Sequence, residues 1–411
     1  MKFVVILGDG MADYKLKELG DKTPLQYASK PNIDRLARLG TLGMVRTVPE
    51  GLPPGSDVAN LSVMGYDPRL YYTGRSPLEA VSMGVNLGLE DVAFRCNLVT
   101  LSEEPEYAQK TMLDYSADEI TSQEAAILMH EVNRRLGDEL LKFFPGVSYR
   151  HLLVWNQGPT DFILTPPHDI SDRKITEYLP TGVNSEVLLR LMKASYTFLT
   201  DHQVNKDRKA RGLKPANSLW IWGQGKKPKL PSFFEKYRLT GAMVSAVDLT
   251  KGLGLCAGLE VVEVPGVTGN INTNFKGKAL AAIEELKQGK DFVYIHIEAP
   301  DEAGHRGELE NKVKSIEEID AKVVAEVLQG LEQFDDYRVM ILPDHPTPLS
   351  LRTHVADEVP FLIYQKSLPK NNPEHSYDED SARSTGLRVE QGHQLMDLFI
   401  GKALQHLQKV K

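Results

Sequence analysis

Asp301 and His305 stand four residues apart in Ala299-Pro300-Asp301-Glu302-Ala303-Gly304-His305-Arg306-Gly307, directly after the apolar run Phe292–Ile297. At that spacing a carboxylate and an imidazole can face one cation from the same side of a tight turn. Two other apolar runs finish in the same way. Phe3–Leu7 runs into Gly8-Asp9-Gly10, and Val339–Leu342 runs into Pro343-Asp344-His345. Adding Ser56 and His354 gives seven donors: Asp9, Ser56, Asp301, His305, Asp344, His345 and His354. Seven are too many for one tetrahedral ion and suit two. Carboxylate and imidazole without thiolate favour Mn²⁺, Zn²⁺ or Mg²⁺. Two such ions close together form a clamp for phosphoryl transfer.

Ser56 lies in Gly51-Leu52-Pro53-Pro54-Gly55-Ser56-Asp57-Val58-Ala59-Asn60-Leu61, where Pro and Gly hold the backbone tight and a helix begins. Two readings apply to it. As an N-cap, its hydroxyl accepts a backbone N–H. As a nucleophile, it is helped by the positive end of the helix and by a bound cation that lowers its pKa.

These donors need strands that end at one edge. The apolar runs alternate with helical patterns at 32–40, closed by Gly40, at 278–288 and at 316–334. Further strands are expected at 242–247, 259–264 and 359–364. Repeated βα units imply a mainly parallel sheet covered by helices on both faces, with ligands outside the carboxyl ends of the strands. Polar 370–385 reads as a mobile surface loop.

From about residue 90 the pattern changes. A strand at 92–101, a helix at 122–136, paired short strands at 151–155 and 161–164, and an amphipathic helix at 185–201 carry none of the seven donors. The expected organisation is a discontinuous catalytic domain, 1–90 and 215–411, resuming near Ser218, with a smaller α/β or α+β domain inserted at 91–214.

Composition excludes several classes. The 411-residue chain carries a net charge of −8, against non-specific nucleic-acid binding. No run reaches the ~20 apolar residues of a membrane span, and the apolar N-terminal stretch is too short for a signal peptide. Cys96 and Cys256 are the only cysteines, which argues for a reducing cytoplasm rather than a disulfide framework. The oligomeric state is not readable from the chain.

Taken together, Leu7-Gly8-Asp9-Gly10, Pro54-Gly55-Ser56-Asp57, Asn60-Leu61-Ser62-Val63-Met64-Gly65-Tyr66-Asp67, Pro300-Asp301 with Gly304-His305, Pro343-Asp344-His345 and Arg352-Thr353-His354 resemble the archaeal type of cofactor-independent phosphoglycerate mutases, within the alkaline phosphatase superfamily. The resemblance implies an alkaline-phosphatase-like core and 3-phosphoglycerate as the small phosphorylated substrate. It implies one metal on Asp301, His305 and His354, a second on Asp9, Asp344, His345 and the Ser56 oxygen, and Ser56 as the phosphorylated nucleophile. No bisphosphoglycerate is required. In the inserted domain, Asn205, Arg208 and Arg211 resemble the family's grip on the substrate, and arginine forks suit phosphate and carboxylate. Lys251 would reach the transferring phosphate, and His151, Arg95, Asp114 and His168 are further candidates. Pro346-Thr347-Pro348 departs from the longer bacterial enzymes, so other phosphotransfer chemistry stands as the alternative: a homoserine kinase, a phosphopentomutase or a phosphatase.

Overall fold

The computed structural model describes residues 1–401; residues 402–411, the end of the expected catalytic domain, lie outside the described residues. Two compact units divide the chain, Met1–Tyr72 with Leu230 onward, and Thr73–Lys229.

An eight-stranded sheet forms the first unit, in the order Glu260–Val262, Gly241–Val244, Phe292–Ile297, Lys2–Gly8, Tyr337–Leu342, Val359–Gln365, Thr41–Val45 and Arg388–Val389. Only Val359–Gln365 runs antiparallel to its neighbours. The central strands are near-continuous apolar runs because helices cover both faces, so the alternation of a half-exposed strand is lost. Register then sets the site. Leu7 pairs with His296 on one side and with Leu342 on the other, so three strands end at one level. Asp9, Asp301 and Asp344 leave the sheet from that edge.

The helical pattern at 316–334 is not one regular helix. It is Leu309–Glu318, a π stretch Ile319–Val324, then Ala325–Leu331. Asp320, in the π stretch, is buried and accepts from Ile33 N at 2.8 Å and Asn32 Nδ2 at 2.9 Å. It thereby satisfies an otherwise orphaned donor at the start of helix Pro31–Leu39. The polar 370–385 stretch is also not a loose loop. Glu379–Ser384 is a helix, and Tyr377, Asp378, Glu379 and Ala382 are buried. Its polar side chains are inside because they are bonded there: Asp13 N and the Thr23 hydroxyl both donate to Glu379.

Behind the edge, Lys312 and Asp13 form a fully buried ion pair at 2.7 Å. The same ammonium donates to Thr347 O at 2.7 Å, and Asp13 accepts from Leu349 N. The turns after two of the central strands are thus tied to one cation. Breaking such a pair from one side costs about 3–5 kcal/mol.

The second unit is α+β. An antiparallel sheet is built on Val92–Leu101, which pairs with Arg150–Trp155 on one side and Ser218–Lys226 on the other. Leu141–Phe144 and Met112–Asp114 complete it, and helices Ser122–Leu136 and Ser185–Leu199 pack on its core. The strand at Ser218 therefore belongs to this unit, where the sequence reading returned the chain to the first. Phe162–Ile163 pairs with Thr181–Gly182, not with Arg150–Trp155 as the sequence pattern suggested. Among the described residues, no helix is long and apolar enough to cross a membrane.

Candidate metal centre

Six of the seven donors form two groups whose ligand atoms lie within 4.8 Å of one another: Asp301, His305 and His354, and Asp9, Asp344 and His345. The expected turn at Asp301 is a helix, Ala299–Arg306, so Asp301 and His305 share one face. Two glycines permit the close approach of the turns. A Cβ at Gly304 would lie 2.6 Å from Thr347 O, and Gly10 has φ +62° with Asp301 against its Cα.

In the first group both imidazoles face one carboxylate. His305 Nε2 is 3.3 Å from Asp301 Oδ2, and His354 Nε2 is 3.3 Å from Asp301 Oδ1. The other ring nitrogens face backbone carbonyls. His305 Nδ1 is 3.0 Å from Arg352 O, and His354 Nδ1 is 3.0 Å from Pro54 O. A carbonyl only accepts, so each Nδ1 carries the hydrogen and each Nε2 presents a lone pair in the neutral ring. These lone pairs confront each other at 2.8 Å. A cation resolves that conflict, and backbone-anchored imidazoles are the usual support for a metal ligand. Arg352, which supplies one carbonyl, has φ +56°, a left-handed conformation that a non-glycine residue adopts at a cost. The Asp301 carboxylate holds His305 up at about 9, and the two imidazoles keep Asp301 well below its usual range although burial opposes this.

The second group is wholly buried. Asp344 Oδ1 accepts from Gly10 N at 3.2 Å and from His345 N at 2.9 Å, and Oδ2 accepts from Asn60 Nδ2 at 2.9 Å. Asn60 is held in turn by the Tyr294 hydroxyl at 2.7 Å. Asp9 Oδ1 lies 3.5 Å from His345 Nε2 and has no hydrogen-bond partner. A buried, unpartnered carboxylate oxygen aimed at an imidazole nitrogen fits a missing cation. Burial, then the neighbouring charges of Asp344 and Asp301, push the Asp9 pKa well above the ordinary carboxylate range, and burial lowers that of His345. A bound cation would oppose the shift of Asp9, and the shift of His345 favours the neutral imidazole that can act as a ligand. The Thr347 hydroxyl joins the two groups, bonding Asp301 and lying 3.3 Å from His345 Nδ1.

Ser56 is the first residue of helix Ser56–Val63, and Gly55 occupies the N-cap without a side-chain cap. The N-cap reading of Ser56 therefore does not hold. Its hydroxyl turns instead into the second group, 3.1 Å from His345 Nε2 and 3.4 Å from Asp9 Oδ2.

The remaining candidates are placed differently. Lys251 is on helix Asp248–Cys256, with Nζ 2.8 Å from Glu263. In the second unit Arg208 is buried, and its guanidinium donates to Lys214 O, Ala117 O and Glu124. Arg211 also pairs with Glu124. Asn205 is buried and bonds Leu199 O and Ala216 at both N and O. These three residues hold the 211–217 segment in place, and their polar groups are engaged within the unit. His151 is buried, accepts from Gly146 N, and is driven down to about 3 by burial.

Another basic cluster in that unit went largely unread. Arg75 and Arg95 both face Glu79, at 2.8 and 3.4 Å. The Arg95 guanidinium lies 4.7 Å over Trp222, and that of Arg150 lies 5.1 Å over Tyr149. Burial lowers Arg95 to about 10, and the charges of Arg75 and Arg150 add to this against Glu79. His168 packs edge-on to Trp222. Arg95 and His168 are visible in the sequence as isolated candidates, whereas Arg75 joins them through Glu79 of helix Ser76–Ser82 and Arg150 through strand pairing. Asp114, the last of the lesser candidates, accepts from Lys214 and Ser116.

Residues 37–205 match the family model for 2,3-bisphosphoglycerate-independent phosphoglycerate mutase. A probable 2,3-bisphosphoglycerate-independent phosphoglycerate mutase of Geobacter sulfurreducens is 52% identical over 98% of this chain and 100% of its own. The 2,3-bisphosphoglycerate-independent phosphoglycerate mutase of Methanosarcina barkeri is 48% identical over 97% of this chain and 99% of its own. Among solved structures, a Pyrococcus horikoshii protein superposes with a TM-score of 0.81 at 30% identity, covering 98% of each chain. The cofactor-independent phosphoglycerate mutase of Thermoplasma acidophilum superposes with a TM-score of 0.66 at 28% identity, covering 97% of this chain and 99% of that one.

Proposed function

The chain belongs to the 2,3-bisphosphoglycerate-independent phosphoglycerate mutases, and from that membership we propose that it interconverts 3-phosphoglycerate and 2-phosphoglycerate through a phosphoserine on Ser56. The observation that carries the reading is the Ser56 hydroxyl, uncapped at a helix start and facing Asp9 and His345.

The donor set suits two divalent ions such as Mn²⁺, Mg²⁺ or Zn²⁺, one on Asp301, His305 and His354 and one on Asp9, Asp344, His345 and the Ser56 oxygen, where they would lower the hydroxyl pKa and neutralise phosphoryl charge. Ser56 Oγ attacks the phosphorus of 3-phosphoglycerate. The Oγ–P bond forms as the bond from phosphorus to the 3-oxygen breaks, and the serine proton ends on that oxygen, giving glycerate. The glycerate then turns, its 2-hydroxyl oxygen attacks the phosphoserine phosphorus, the Oγ–P bond breaks as the bond to the 2-oxygen forms, and the hydroxyl proton returns to Ser56 Oγ, giving 2-phosphoglycerate. The start of helix Ser56–Val63 contributes backbone N–H groups and a positive dipole end to the phosphate. Lys251 is available as a further cation once it leaves Glu263. No bisphosphoglycerate enters the cycle.

A phosphoserine is open to water, so glycerate must be kept until the phosphate returns. For the grip we infer Arg75, Arg95 and Arg150 rather than Arg208 and Arg211. Two guanidinium groups face the Glu79 carboxylate and the charge of Arg150 adds to theirs, an excess of positive charge that suits the carboxylate of glycerate and the phosphate of its ester.

Phosphorus NMR tests the activity. With 3-phosphoglycerate and divalent metal, and without ATP or bisphosphoglycerate, the 2-phosphoglycerate resonance should grow to equilibrium. Inorganic phosphate as the sole product would make the protein a phosphatase. No change without a nucleotide would point to a kinase.

A further inference from the structure

His296 sits inside the buried strand Phe292–Ile297, five positions before Asp301, and had no place among the donors read from sequence. It is fully buried, and its Nε2 is 2.9 Å from Asp9 Oδ2. Asp9 is thereby divided. Oδ2 is held by His296, while Oδ1 is unpartnered and faces His345. A free carboxylate has two equivalent oxygens and can swing between one-point and two-point ligation. Here one oxygen is tied and the other is aimed.

The ring of His296 is itself fixed from behind. Its Nδ1 lies 3.3 Å from Ser245 Oγ, and Ser245 Oγ lies 2.5 Å from Thr250 Oγ1. Both hydroxyls are buried. Ser245 Oγ also accepts from Val247 N at 3.0 Å. Lys278, buried beneath, donates from Nζ to the His296 carbonyl at 2.8 Å, fixing the strand at this residue. An ionised Asp9 only accepts, so Nε2 must carry the imidazole hydrogen, and Nδ1 then accepts from the Ser245 hydroxyl. Ser245 and Thr250 are thus a tautomer lock. They also tie Asp9 to the turn at the head of helix Asp248–Cys256, next to Lys251.

We propose that His296, set by Ser245 and Thr250, is a positioning residue that makes Asp9 a one-oxygen ligand of the ion also held by Asp344 and His345. Histidines and carboxylates directly behind metal ligands commonly govern metal affinity in this way. The inference rests on the two-ion reading given above and concerns one of the two ions only.

Zn²⁺ titration of the metal-stripped full chain against a chromophoric chelator tests it. Wild type should bind two Zn²⁺. His296→Leu, similar in volume but with no donor, should keep one ion on Asp301, His305 and His354 and bind the other about 10- to 100-fold more weakly. His296→Gln, which restores an N–H at similar reach, should recover most of that loss. Ser245→Ala keeps His296, and should weaken the same ion while shifting the ¹⁵N resonances of the His296 ring away from the Nε2–H tautomer. That spectroscopic change is one that mere loss of packing would not produce. Two Zn²⁺ bound to His296→Leu with wild-type affinity would overturn the proposal, as would equal weakening by Leu and Gln in folded variants. Fewer than two Zn²⁺ bound by wild type would instead overturn the two-ion reading beneath it.

Discussion

His305 Nε2 and His354 Nε2 face each other across 2.8 Å, each with its opposite nitrogen engaged by a backbone carbonyl. Two neutral imidazoles do not choose this arrangement, and here the backbone enforces it. The pair is built around a positive charge that Asp301 helps to hold. Removal of divalent metal with a chelator is therefore predicted to abolish turnover, and Mn²⁺, Mg²⁺ or Zn²⁺ to restore it. Turnover assays paired with elemental analysis check this. Full activity in protein verified as metal-free would contradict it.

Glu379, which is not among the seven donors, gives a pH dependence of stability. Burial raises its pKa from 4.5 to about 7, although Thr23 and Asp13 N donate to it. Its folded pKa lies above the unfolded one, so the folded chain binds the extra proton. The resulting stabilisation is full below about pH 4.5 and is lost as pH rises through about 7. Glu379→Gln, which cannot ionise, should match wild type near pH 4 and exceed it at pH 8 by roughly 3 kcal/mol. Denaturant unfolding at the two pH values measures the difference. A variant less stable than wild type at pH 8 would show that the ionised carboxylate is the favoured form.

Arg150 and Arg75 are more exposed than Arg95 and can be changed with little risk to the core. Arg150→Gln and Arg75→Gln are predicted to raise KM for 3-phosphoglycerate by about tenfold, the worth of one charge-assisted hydrogen bond. They should also raise the ratio of inorganic phosphate released to 2-phosphoglycerate formed, because glycerate escapes before the phosphate returns. Arg208→Gln should instead lower the melting temperature, since its donors hold Ala117 O, Lys214 O and Glu124. The reverse pattern would return the grip to Arg208.

Much of the metal centre was legible because parallel strands buried on both faces are near-continuous apolar runs, and their ends are marked by the first polar residue. Asp9 and Asp344 each follow such a run within two residues. His296 was illegible for the same reason. It interrupts Phe-Val-Tyr-Ile-His-Ile by one position, and only the register of that strand with Lys2–Gly8 brings it to Asp9. Arg208 and Arg211, three residues apart at the end of helix Gln203–Ala210, meet the same carboxylate, but that partner, Glu124, lies far away in sequence. Arg150 comes to the Arg95 strand through antiparallel pairing, opposite Asn97. That pairing leaves no trace in local spacing. At 370–385, polar composition masked burial, because the carboxylates there accept backbone and hydroxyl hydrogens from the rest of the first unit.

In the proposed reaction Ser56 carries the phosphate between the two positions of glycerate. Tandem mass spectrometry of protein quenched during turnover of 3-phosphoglycerate tests it most directly, with Ser56→Ala as the partner sample. One phosphorylated residue, Ser56, is expected in wild type, and in Ser56→Ala a folded protein with no phosphate and a loss of turnover of at least about 10³-fold, as follows when a covalent nucleophile is removed. Phosphate on Ser62 or on a histidine, or undiminished turnover by Ser56→Ala, would contradict it.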